Sequence, residues 1–274
     1  MAHAHAGSRL FTRLTLAQRA QHGALLGSFV LLALTGLPMR FPEVRWLAAV
    51  YAVVGGLPVA RAIHRTAAVI MIADGLAHLV YIGVLLARAG FRPGRAWPML
   101  PAWKDLRDVL DTSLYYLGLR RTLPAYDRFN FREKFDYFAV FWGLPVMMLS
   151  GLVLWFPVFF GNRLPDLAIG MAYIAHSDEA ILAISAIVVW HMYNVHVSPG
   201  QFHRFRTWLD GRITREELLV AHPLEYERLT GEQADPAERA RLAEEAGLPL
   251  IKQPARRGAA AEAAPAAGGV KDAR

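Results

Sequence analysis

Apolar residues in this chain run in long blocks rather than in short stripes. Positions 20–39 (AQHGALLGSFVLLALTGLPM) carry no formal charge, positions 66–87 carry only Asp74, and positions 137–160 carry none. A block of about 20 apolar residues matches the thickness of a bilayer core. Inside lipid such a block must be helical, because each backbone polar group needs a partner within the segment. The pattern predicts four membrane-spanning helices, over 18–39, 61–88, 135–160 and 168–198. Gly36, Leu37 and Pro38 end the first, Pro58 precedes the second, and Pro165 and Asp166 open the fourth, which Ser198, Pro199 and Gly200 close.

The polar stretches between the blocks predict smaller elements. The segment 101–121 has an apolar face at Leu106, Val109, Leu110, Leu114 and Leu117, which suits a helix lying on the membrane surface with Trp103 as its anchor. Beyond the fourth span, Thr214 with Glu217 forms a capping box. Asp235 with Glu238 is similar, with Pro236 at the first helical position. Two short helices are expected there. The expected division is a four-helix membrane domain over 1–200, a helical extension over 201–252 and a disordered Ala/Gly/Pro-rich tail over 253–274. No internal repeat is evident. The fold class expected is therefore all-α: an integral membrane four-helix bundle with an interfacial helix and short C-terminal helices.

Charge sets an orientation. The net charge is +7, and its placement matters more than its size. Arg9, Arg13 and Arg19 precede the first span with no acid among them. The loop between the second and third spans carries Arg92, Arg95, Lys104, Arg107, Arg120, Arg121, Arg128, Arg132 and Lys134. The loops on the other side hold only Arg40 and Arg45, and Arg163. By the positive-inside rule both termini are cytoplasmic. The opening MAHAHAGSRLFTRLT reads as no signal peptide, so the first block is expected to be retained.

The candidate chemistry lies in histidines. Ionisable side chains at membrane depth are costly and mark function, and His22, His64, His78, His176, His191 and His196 all fall in or near the four spans. His3, His5, His203 and His222 are expected at exposed sites. The chain has no cysteine, which excludes thiolate-held iron–sulfur clusters and covalent CxxCH haem attachment within it. Neutral imidazole remains as a strong axial ligand for haem iron, supplied from two facing helices. His176 and His191 are fifteen positions apart, which is about 22 Å of helical rise, so one helix can serve two haems stacked across the bilayer. Matching depths gives an outer pair, His64 with His176, and an inner pair, His22 with His191. By geometry alone His78, fourteen positions beyond His64, can replace His22 as the partner of His191. Asp74 is placed to bond His78 one turn away or an inserted water, or to join a proton route; Arg19, Arg128 and Arg132 can neutralise haem propionates, although positive-inside flanking explains them without any haem.

Several motifs carry a resemblance over about residues 9–229. The first span opens with RAQH and runs on to LLALTGLPMRFPEVRWL, and the second begins with RAIH. The third runs from RFNFREKF to SGLVLWFPVFF. The fourth contains WHMY, and the tail reads WLDGRITREELLVAHPLEYE. In order and spacing these resemble the cytochrome b (gamma) subunits of membrane-bound formate dehydrogenases and the related hydrogenase and thiosulfate-reductase cytochromes b. The resemblance implies two haem b groups ligated by His22, His64, His176 and His191, with His22 preferred over His78. It implies that Asn130 hydrogen-bonds a membrane quinone beside the inner haem. An ordinary helix N-cap is the other reading of Asn130.

The function expected is transmembrane electron transfer between an extracytoplasmic iron–sulfur or multihaem partner and the quinone pool, in a bacterial inner membrane. Primary catalysis would then lie in another chain. The alternatives are a haem-free His/Asp proton relay and a passive membrane anchor. The chain departs from the family pattern in the fifteen-residue spacing of its fourth-span histidines, where fourteen is usual, in His78, and in the acidic segment from His176 to Glu179.

Overall fold

The structure is a computed structural model and describes residues 9–198 and 206–248; the tail expected over 253–274 and His3, His5 and His203 lie outside these. Four long apolar helices dominate: α1 (Leu16–Arg40), α3 (Leu57–Arg88), α6 (Phe131–Trp155) and the helix that begins as α8 (Leu167–Ser185) and continues to Val197. Each is long and apolar enough to cross a membrane. Helix α3 packs chiefly on α1, and α8 on α6, so the bundle is two antiparallel hairpins set side by side. Close approach is allowed by small side chains: Ser28 and Thr35 of α1 and Ala60 and Ala67 of α3 are buried, and a Cβ on Gly75 would lie 2.6 Å from Leu144 of α6. Large apolar residues such as Val80, Trp142, Leu149 and Val189 remain exposed, as a lipid-facing surface requires.

The two hairpins repeat one another, contrary to the expectation of no repeat. Helices α1 and α6 are both 25 residues long. Both open with a capping box, Thr15 with Gln18 and Asn130 with Glu133, and both end at a phenylalanine C-cap, Phe41 and Phe156. Thr35–Gly36 in one stands at the same register as Ser150–Gly151 in the other. In their partner helices, His64 answers to His176 and His78 to His191. Apart from these few positions the helices share little sequence, which is why the repeat is hidden in the chain.

The fourth span also explains its histidine spacing. From Ala186 to His191 and from Tyr193 to Val197 it is π-helical. A π turn holds one more residue than an α turn. The extra residue between His176 and His191 is therefore absorbed without moving His191 to another face.

Smaller elements frame the bundle. Helix α2 (Arg45–Val54), not foreseen, crosses between α1 and α3, and α4 (Pro93–Ala96) follows α3. The expected surface helix is α5 (Trp103–Tyr116): its apolar face, with Leu106, Leu110 and Leu114, is exposed, and Asp108, Thr112 and Tyr115 face the protein. The third span starts earlier than predicted because Asn130 caps it. It also stops earlier, because Pro157 starts a separate α7 (Pro157–Gly161). After the fourth span the described residues form α9 (Thr207–Asp210), α10 (Arg215–Ala221), α11 (Pro223–Thr230) and α12 (Pro236–Glu245), four helices where two were expected. Strand β1 (Leu10–Thr12) pairs antiparallel with β2 (Arg212–Thr214), with Leu10 opposite Thr214. This sheet ties the segment before α1 to the C-terminal extension, and it defines one end of the bundle, the sheet end. A small core of Ile213, Leu218, Leu219 and Tyr226 holds the extension together.

Candidate functional site

At the end of the bundle away from the sheet, the start of α3 places His64 and the first half of α8 places His176. Their rings face each other edge-on with centroids 6.4 Å apart. Each is held the same way. The Thr35 hydroxyl donates to the Leu31 carbonyl at 2.6 Å and lies 2.9 Å from His64 Nδ1. The Ser150 hydroxyl donates to the Val146 carbonyl at 2.6 Å and lies 3.1 Å from His176 Nδ1. With its proton committed to the backbone, each hydroxyl can only accept, so each Nδ1 carries the ring proton and Nε2 keeps its lone pair. The neighbouring glycines make room: a Cβ on Gly36 would sit 3.2 Å from His64 Cε1, and one on Gly151 3.1 Å from His176 Cε1.

Toward the sheet end, His191 Nδ1 lies 3.0 Å from Asp136 Oδ2. A carboxylate there accepts, so this ring too leaves Nε2 with the lone pair. His22 lies at this same end, near the start of α1. Its Nδ1 is buried and has no hydrogen-bond partner among the described residues, and its ring stands 5.8 Å from that of Trp208. His78 is different. Its Nδ1 is 3.1 Å from Gln21 Oε1 and its Nε2 is 2.8 Å from the Tyr137 hydroxyl, to which Trp97 Nε1 donates at 3.1 Å. Both ring nitrogens are occupied, and Tyr81 and Phe141 pack around the ring. The bond expected from Asp74 to His78 is replaced by these partners. Nearby on α6, Tyr137, Phe138 and Phe141 pack with Trp97, while Phe135 and Trp142 are exposed.

The sheet end of α6 is built into a buried ionic knot. Asn130 Oδ1 accepts from the backbone N–H groups of Arg132 at 2.9 Å and Glu133 at 3.1 Å, so it is the N-cap of α6. The cap engages Oδ1 only and makes no use of the amide Nδ2. Glu133 accepts from the Asn130 backbone at 2.8 Å and pairs with Arg13 at 3.2 Å. Arg13 also meets Glu225 at 2.7 Å, and Glu225 in turn meets Arg128 at 2.7 Å. His222, expected to be exposed, is 4% exposed. It lies 3.2 Å from Arg13 Nη2 and 2.7 Å from the Asp127 carbonyl. Burial opposes ionisation of Asp127, but its hydrogen bond from Arg228 holds it below the usual carboxylate range. Burial pushes the Tyr126 phenol up, against the Thr112 hydrogen bond. Arg128 is thus committed to Glu225 and to the Arg13 carbonyl. Arg19 donates to the Leu209 carbonyl, while its Nε is buried and has no hydrogen-bond partner among the described residues.

Known proteins bring these features together. The sequence pattern of the prokaryotic cytochrome b561 family matches residues 13–205, the whole of the histidine-bearing bundle. The chain belongs to that family. Similarity extends to two Escherichia coli (strain K12) proteins. One is the cytochrome b556(Fdn) subunit of the nitrate-inducible formate dehydrogenase, 22% identical over 83% of this chain and 95% of the relative. The other is the formate dehydrogenase cytochrome b556(fdo) subunit, 25% identical over 78% of this chain and 90% of the relative. The cytochrome is thus a haem b protein of membrane electron transport, and a haem-free relay no longer fits it.

The residues present suit haem. Iron between two imidazoles needs ring centroids about 6 Å apart, from two metal–nitrogen bonds of about 2 Å and the distance from nitrogen to ring centre on each side. The 6.4 Å separation of His64 and His176 fits this. Fixing Nδ1 through a hydrogen bond, as three of these rings do, is how a protein orients a histidine that binds metal through Nε2.

Proposed function

We propose that this cytochrome holds two haem b groups, one between His64 and His176 and one between His22 and His191, and that it carries electrons across the membrane between a partner subunit and quinone. The observation that carries the reading is the pair of facing imidazoles, His64 and His176, each with Nδ1 pinned by a hydroxyl and Nε2 left for iron. His191 is prepared in the same sense by Asp136. His22 is the second sheet-end ligand because both nitrogens of His78 are taken. Haem supplies reversible one-electron chemistry when bound. The protein orients the rings, excludes water with its apolar helices and sets the two sites at different depths.

The sheet end faces the cytoplasm by the excess of Lys and Arg in its loops. Quinone binds there beside the His22/His191 site, with the free amide of Asn130 donating to a quinone carbonyl. The cap role of Asn130 does not compete, since it uses the other side-chain atom. At the opposite end, beside His64 and His176, the partner is an iron–sulfur or multihaem subunit of a quinone-linked oxidoreductase; the similar proteins are subunits of formate dehydrogenases. Primary substrate chemistry belongs to that complex and not to this chain.

The test is a dithionite-reduced minus oxidised spectrum of the detergent-purified chain, with haem counted by the pyridine haemochrome method. Two haems b per chain are expected, falling to one in His176→Ala and to one, of different potential, in His191→Ala. A count of two that survives both substitutions would overturn the assignment.

A further inference from the structure

The four spans present imidazoles with two kinds of partner. His64 and His176 rest on the neutral hydroxyls of Thr35 and Ser150. His78 rests on the neutral amide of Gln21. His191 alone among these four rests on a carboxylate, that of Asp136, at 3.0 Å. The internal repeat sharpens the contrast. Asp136 of α6 stands at the register of Gln21 of α1, as Asn130 stands at that of Thr15 and Ser150 at that of Thr35. One copy of the repeat thus carries a carboxylate where the other carries the longer, neutral amide of Gln21. The charged copy is the one whose histidine has Nε2 unengaged by a side chain among the described residues.

We propose that Asp136 is a positioning residue that sets the sheet-end haem apart electronically from the other. The proposal rests on the assignment of His191 as a ligand. The carboxylate accepts the Nδ1–H bond, which fixes the tautomer and the ring plane. It also draws the shared proton toward oxygen, which makes the imidazole a stronger donor to iron. Both that donation and the negative charge itself favour the oxidised iron, so Asp136 lowers the potential of this site. A hydroxyl partner, as at Thr35 and Ser150, gives neither effect in comparable strength, because a charge-assisted hydrogen bond is roughly twice as strong as a neutral one. Helix α6 thereby serves both haems, through Ser150 at one depth and Asp136 at the other. The next residue, Tyr137, points instead to His78.

The experiment is a spectroelectrochemical titration of the full-length, haem-loaded chain, paired with low-temperature EPR of the oxidised protein. Asp136→Asn should leave two haems bound, move one midpoint potential upward and leave the other in place, with the low-spin g values of only that one haem changed. Asp136→Glu, which restores the charge, should return the potential toward the original value. If Asp136→Asn does not retain haem, Asp136→Ser, which offers a hydroxyl acceptor like that of Ser150, is measured instead with the same expectation. Unmoved potentials with both haems present would overturn the proposal, and so would equal shifts in the Asn and Glu variants. His191→Ala separates the two levels of the argument. If that variant keeps both haems, the ligand assignment has failed. If it loses one and Asp136→Asn still shifts nothing, only the role of Asp136 has failed.

Discussion

A histidine at membrane depth is judged by what is left over once its hydrogen bonds are counted. His64, His176 and His191 each spend Nδ1 on a neighbour and keep Nε2. His78 spends both, on Gln21 and Tyr137. Its surroundings, unlike its depth, leave neither ring nitrogen open. His78→Phe is therefore expected to retain two haems per chain by the pyridine haemochrome assay. It should lower stability by about 1–3 kcal/mol, because the Gln21 amide and the Tyr137 hydroxyl lose their partner away from bulk water. Loss of one haem in that variant would make His78 a ligand and displace His22. Thr35 and Ser150 show how little of such preparation is visible in the chain: two ordinary small polar residues, each beside a glycine, become the supports of a site only because a histidine from another helix rests on each.

Among the elements, the fourth span is the one whose regularity matters most. It presents His176 at one depth and His191 at another, and the π turn between Ala186 and His191 corrects the facing of the second. Removing Val188 should let the segment revert to α-helix and leave both haems in place. Adding one alanine beside Val188 should swing His191 by about 100° around the helix and cost the sheet-end haem. Haem counts on the two variants check this. Equal loss in both would mean that the π turn does not compensate the spacing. Helix starts follow local chemistry more closely. Capping boxes at Thr15, Asn130 and Thr214 start α1, α6 and α10. Asp235 caps α12 through the Ala237 N–H, while Glu238, expected to complete the box, pairs instead with Arg215 of α10 at 2.8 Å.

For the molecule as a whole, the decisive join is between segments far apart in the chain. Thr12 of β1 stands opposite Arg212 of β2, and Arg13 is locked between α6 and α11 by Glu133 and Glu225. Both ends of the bundle domain are thereby held on one side of the membrane. Because the chain has no cysteine of its own, a double variant, Thr12→Cys with Arg212→Cys, is a clean probe. It should form a disulfide on mild oxidation, read as a mobility change on non-reducing gels. The single variants should both react with a membrane-impermeant thiol reagent from the same face. Labelling from opposite faces would break the pairing and the topology with it.

The sequence by itself determined that there are four spans, about where they end, and at which depths their histidines sit. Those properties follow from the cost of placing charge and unpaired backbone in lipid, which is paid locally and reads along the chain. The motif order of RAQH, RAIH, RFNFREK and WHMY was enough to place the family. Only the tertiary structure decided which face each helix turns inward, because a span that is apolar all round has no stripe to mark its buried side. It alone revealed the repeat of the two hairpins, which survives in backbone register and a handful of polar positions. It alone decided which ring nitrogens are hydrogen-bonded, since each partner — Thr35, Ser150, Asp136, Gln21, Tyr137 — lies on another helix, brought close by packing rather than by sequence.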